Sequence, residues 1–128
     1  MRGKAFHNRI AEEARAILSN HGWKVYTEHR YRKNGITTYL DLFAVKGDQT
    51  IACEIETTNR HAVDNALKAQ VAGLVLWIIV PTRNLRRQIE RKLKSSAVIK
   101  NHQSIKTILL SQINRELNLL RKEQSNEN

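Results

Sequence analysis

The chain predicts an α/β domain built on a mixed central sheet flanked by helices, and three observations carry that reading. A helical apolar stripe fills the N-terminal stretch, three strand-length segments joined by tight turns follow it, and after another helical stretch comes the unbroken apolar run Leu74-Val75-Leu76-Trp77-Ile78-Ile79-Val80. A strand apolar on both faces belongs inside a sheet covered on both sides, and a helical crossover sets it parallel to a neighbour. The order is therefore α-β-β-β-α-β, followed by a C-terminal helix. The length suits one domain, placed at residues 1–122 with a polar, disordered tail over 123–128.

Each element has its own signal. Residues 4–20 place Phe6, Ile10, Ala14, Ile17 and Leu18 at helical spacing, and Asn20-His21-Gly22 ends the run. Over residues 23–32, Trp23, Val25 and Thr27 alternate with Lys24, Tyr26 and Glu28, which is a strand pattern. Asn34-Gly35 accepts the positive φ angles of a type I′ turn and starts a second strand at Ile36; Gly47-Asp48 turns the chain again into a third strand over 50–56. Thr57-Thr58-Asn59 offers caps for a helix over 60–72, whose expected core face is Val63, Ala66, Leu67, Gln70 and Val71. Pro81 ends the apolar strand, and Thr82 caps a helix over 83–94 with Leu85, Ile89 and Leu93 inward. Residues 97–100 are expected as a short edge strand. A last helix over 104–122 carries Ile105, Ile108, Leu109, Ile113, Leu117 and Leu120, a stripe that either packs across the sheet or forms part of a homodimer interface.

Charge narrows the function. Twenty-two Lys and Arg against twelve Asp and Glu give a net charge of +10, so the expected partner is a polyanion. No apolar run approaches the ~20 residues of a membrane span, which favours nucleic acid over a membrane. The opening Met1-Arg2-Gly3-Lys4 leads into a mixed polar helix, not a secretory signal, and the single Cys53 excludes an internal disulfide and a cysteine-based zinc site, so a cytoplasmic location is expected. Two basic groups are candidate DNA contacts: Arg30, Arg32 and Lys33 at the first hairpin tip, and Arg83, Arg86, Arg87 and Arg91 on the helix over 83–94. For both, an ordinary solvated surface is the competing reading.

The chemistry concentrates in residues 38–68. Three carboxylates, Asp41, Glu54 and Glu56, stand inside apolar strands. Burying an ionised carboxylate is unfavourable by several kcal/mol unless it is paired or bound to metal. Strand alternation points Glu54 and Glu56 the same way, and a hairpin brings Asp41 beside them. Such converging oxygens suit a hard cation, Mg²⁺ or Mn²⁺. Glu13 falls beside the apolar stripe of the first helix and is a candidate further acid, whereas Glu12 with Arg9 and Arg15 reads as a solvated face. His7 lies on the inward side, either as a packing histidine or as a phosphate or metal contact, and Glu28 is a further polar candidate.

An Asp on one strand of a hairpin, followed a turn later by Glu on the next, resembles the active site of the PD-(D/E)XK nuclease superfamily, the restriction-endonuclease-like fold. Asp41 matches the Asp and Glu54 the Glu of the motif, while Glu56 stands where the motif has Lys. In some members the basic residue comes from the following helix, and Lys68 is the candidate here; its alternative is an ion pair with Asp64 at i, i+4. The resemblance spans roughly residues 3–100 and implies a metal-dependent DNA endonuclease. Asp41, Glu54 and the Ile55 carbonyl would hold the ion, with Glu13 as an added ligand, and Glu56 or Lys68 would complete the site. Small members resolve Holliday junctions as homodimers and are similar in size, order and charge. The alternatives are an inactive nuclease-fold module that binds DNA, a ribonuclease of structured RNA, and, less favoured, a repressor.

Overall fold

A computed structural model describes residues 2–127 and, within them, the side chains of 3–123. Helix α1 (Arg2–Asn20) is followed by β1 (Lys24–Lys33), β2 (Ile36–Lys46), β3 (Gln49–Ile55), α2 (Ala62–Ala72), β4 (Leu76–Val80), α3 (Arg83–Ser95), β5 (Ile105–Leu109) and α4 (Ile113–Glu127), with short 3₁₀ turns on either side of β5. The strands lie in the order β1-β2-β3-β4-β5. β1, β2 and β3 form an antiparallel meander, and β3, β4 and β5 run parallel. This is an α/β architecture with a mixed five-stranded sheet and four helices.

Two apolar layers fix the sheet between the helices. On one face Phe43, Ala52, Leu76, Ile78 and Val80 meet α2 and α3; on the other Leu42, Cys53, Ile55, Trp77 and Ile79 meet α1 and α4. The expected helical crossover is present, and β4 is buried along its whole length. α2 meets the sheet through alanines, with Ala62, Ala66, Ala69 and Ala72 buried. The face expected from residue size is therefore corrected: Val63 and Leu67 sit partly buried at its flank and Val71 is exposed. Small side chains let the helix approach the strands closely, so the tightest contact selects alanine over the larger residues. The helix also starts at Ala62, after a His61 N-cap position without a side-chain cap; Thr58 Oγ1 instead accepts from the Arg60 N–H within the preceding loop.

The C-terminal third departs most from expectation. Residues 97–100 do not form a strand, and the segment expected as the start of the last helix is β5. Ile105, Ile108 and Leu109 satisfy a helical spacing, but the β-branched run Ile105-Lys106-Thr107-Ile108 also suits a strand. The outer edge of β4 decides between them, because a buried strand must have its N–H and C=O groups paired. α4 then runs from Ile113 to Glu127, through part of the expected tail, and Asn128 lies outside the described residues.

Candidate metal and nucleic-acid site

The site begins with a break in the first two strands. Alternation should put Leu40 and Leu42 on one face, yet Leu40 packs with Phe43 on the α2 side and Leu42 packs with Ala44 on the α1 side. The paired strand breaks at the same level: Glu28, opposite Asp41 in the register, has φ of +47°. A non-glycine residue in that region is uncommon and marks a local distortion. Both strands thus reverse their faces across Glu28 and Asp41. At this level β2 parts from β3, since their pairing covers Leu42 to Lys46.

Asp41 occupies the gap. Its Oδ2 accepts the Ile55 N–H at 2.8 Å, taking the place of a ladder partner, and lies 3.1 Å from His7 Nε2 on α1. Glu54 is the neighbouring residue on β3, close enough to Asp41 for that carboxylate's charge to act on it. Glu54 and Glu56 share the α2 face, as alternation about Cys53 and Ile55 requires, and are only 8% and 6% exposed. Glu56 Oε1 accepts from the Asn65 side chain of α2 at 2.6 Å.

The electrostatics follow from that burial. Burial first, and the Asp41 carboxylate second, push Glu54 up to about 9. Burial also raises Glu56, against the opposing effects of the Asn65 hydrogen bond and of His61. The Cys53 thiol is held protonated by its burial and by Glu54 and Asp41 nearby. Among the described residues no three His, Cys, Asp or Glu side chains converge as a metal cage. That geometry still fits Mg²⁺, which keeps several waters and commonly takes one or two carboxylates. Asp41 and Glu54 would be the two carboxylates of such a site, where a divalent charge would offset the burial and the Asp41 charge that raise Glu54.

The other expected residues fall into distinct places. Glu13 is exposed, and Glu12 instead lines, with His7, Thr27, Glu28 and Asp41, a cleft of about 310 Å³ between α1 and the strand break. Glu12 is paired there with Arg15 at 2.9 Å. Lys68 makes the i, i+4 pair with Asp64 at 3.3 Å and is 44% exposed. Arg30, Arg32 and Lys33 lie exposed on the part of the β1–β2 hairpin that extends past the end of β3. That arm leans on α2, with the Asn34 side chain donating to the Val71 carbonyl at 2.9 Å. Arg83, Arg87 and Arg91 are exposed on α3. Arg86 is not equivalent to them: its guanidinium donates to Gln112 Oε1 at 2.9 Å and lies 3.6 Å from Glu90.

Two members of the site escaped sequence reading. Asn65 stands one turn before Lys68 on the same side of α2, in a helical run whose periodicity gives it no signal of its own. Asn59, expected as a helix cap, instead donates to Gln88 Oε1, and its carbonyl accepts from Lys92, pinning the loop after Glu56 to α3. No periodicity signals a loop-to-helix tie of that kind.

No family model matches the chain, and no curated protein matches it. Among solved structures, the chain is similar to the crystal structure of AF1548, a protein of unknown function, at 15% identity and a TM-score of 0.54, over 89% of this chain and 66% of that one. The chain therefore spans just under two thirds of that protein, and the likeness supports the α/β fold alone.

Proposed function

We propose that the chain is a metal-dependent DNA endonuclease with a restriction-endonuclease-like core of the PD-(D/E)XK type, acting as a structure-selective nuclease of the junction-resolving kind. The observation that supports this most is the Asp41 carboxylate seated between β2 and β3, bonded to the Ile55 N–H and adjacent to Glu54. The bonds to Ile55 and His7 would satisfy Asp41 by itself; a second buried carboxylate set beside it is the feature that a shared cation accounts for. Asp41, Glu54 and the Ile55 carbonyl hold Mg²⁺ or Mn²⁺. When bound, the ion supplies a water of lowered pKa and charge compensation at a scissile phosphate.

The chain's own residues do the rest. His7 Nε2, 3.1 Å from Asp41 Oδ2, fixes that carboxylate from α1. Asn65 restrains Glu56, in the position where the motif has Lys, so that its charge is partly offset. Arg30, Arg32 and Lys33 on the hairpin arm and Arg83, Arg87 and Arg91 on α3 bind the phosphate backbone. Contacts of this kind position DNA without reading its sequence, which is why shape is the expected determinant.

A second reading is favoured by two particulars: Glu56 in place of the motif lysine, and Lys68 occupied by Asp64 at the surface. In it the fold is retained as a DNA-binding module without cleavage. One experiment separates the two. Labelled linear, nicked and four-way-junction DNA is incubated with Mg²⁺ or Mn²⁺ and either the parent or Glu54→Ala. Metal-dependent cutting, strongest on the junction and lost in the variant, is the expected result. Salt-sensitive binding with no cutting by the parent would establish the binding module instead.

A further inference from the structure

The two edges of the sheet are treated differently. The β1 edge is protected in the usual ways: it carries Lys24, Arg30, Arg32 and Lys33, and it is interrupted at Glu28. The β5 edge has no such break. It forms the floor of a groove of about 600 Å³ between α3 and α4, which is lined by four consecutive strand residues, Ile105 to Ile108. Successive residues of a strand show opposite faces, so a groove touching four in a row is seated along the edge and not on one face.

The hydrogen bonds say which groups that edge presents. The Leu109 N–H is taken by Gln112 Oε1 at 3.0 Å, and the Ile105 N–H by the His102 carbonyl. Backbone groups of residues two apart point the same way, so Ile105, Thr107 and Leu109 face outward. The chain closes both ends of this outward ladder with its own groups and leaves Thr107 at the centre, between the two closed N–H groups.

We propose that this edge is a homodimer interface, in which the β5 strands of two copies pair antiparallel about a twofold axis at Thr107 and join the two sheets into one. A residue on the axis exchanges N–H and C=O with its own copy, which suits an edge with a single central residue on offer. Charge argues for a second copy over another partner. An isologous contact must be self-complementary, and the groove carries Glu90 and Glu116 together with Lys94 and Lys106. This is a balanced patch on a chain of net charge +10, where most other surfaces would repel their own kind. The inference stands apart from the nuclease reading.

The test uses the intact chain. Sedimentation from low to high micromolar concentration is compared for the parent, Thr107→Pro and Glu90→Lys, with backbone hydrogen exchange at Thr107 followed over the same range. Proline is tolerated where an edge N–H faces outward, so Thr107→Pro should keep the fold. It loses both hydrogen bonds of the symmetric pair, which raises the dimer dissociation constant by roughly 10- to 100-fold. The expected result is a parent dimer whose Thr107 amide is protected as concentration rises, with both variants shifted to monomer. Should Thr107→Pro fail to fold, Glu90→Lys and the exchange data carry the same comparison. A parent that stays monomeric, including one whose groove takes up an unrelated strand, overturns the proposal. So does a dimer whose Thr107 amide gains no protection.

Discussion

Replacing Glu54 by glutamine keeps the shape of the side chain and removes its titration, and so isolates the electrostatic cost of the site. In the folded chain Glu54 is pushed up to about 9 from an ordinary 4.5. A carboxyl raised on folding binds its proton more tightly in the native state, so its contribution is fully present below pH 4.5 and is lost as pH climbs towards 9. At ~1.4 kcal/mol per pH unit the ceiling is ~6 kcal/mol. The Asp41 charge is one of its causes and couples the two carboxylates, so ~3 kcal/mol is the working figure. Without metal, the parent should therefore lose ~3 kcal/mol of unfolding free energy between pH 5 and pH 8. Glu54→Gln should lose much less, keeping a residual slope of the same sign from Glu56, which is also raised. Urea unfolding at several pH values, in chelator and in Mg²⁺, measures both effects. Mg²⁺ should restore the parent at pH 8 and leave the variant unchanged. Identical pH slopes in the two proteins would refute the assignment of a costly buried carboxylate to Glu54.

Further outcomes concern particular contacts. Lys68→Ala should leave cleavage within a few-fold of the parent, since Lys68 is held by Asp64 at the surface, whereas Asn65→Ala should reduce it by roughly tenfold by freeing Glu56; a reversed ranking in single-turnover assays would return the motif-lysine role to Lys68. Arg87→Ala and Arg91→Ala should each lower the salt dependence of DNA binding by about one counterion. Arg86→Ala should instead mainly lower the melting temperature, because its guanidinium ties α3 to Gln112. Ala66→Leu, on the buried face of α2, should destabilise by ~1–3 kcal/mol through overpacking, read as a lower urea midpoint with an unchanged slope.

By itself the sequence determined the α-β-β-β-α-β order, the two turns, the parallel crossover to the apolar strand and the presence of Asp41 and Glu54 in strands, with Glu56 falling one residue past the end of β3. These are local matters of period, turn chemistry and polarity, and they do not depend on what lies across the fold. Only the tertiary structure decided the rest. The run from Ile105 to Leu109 fits either period, and the open edge of β4 made it a strand. Size suggested Val63 and Val71 for the inner face of α2, and close approach to the sheet selected the alanines. Alternation brought Glu54 and Glu56 together, but the place of Asp41 depends on a break shared by two strands, at Glu28 and Asp41, which alternation rules out. His7 and Asn65 join the carboxylates from helices distant in the chain, because the fold carries both to the point where β2 and β3 separate.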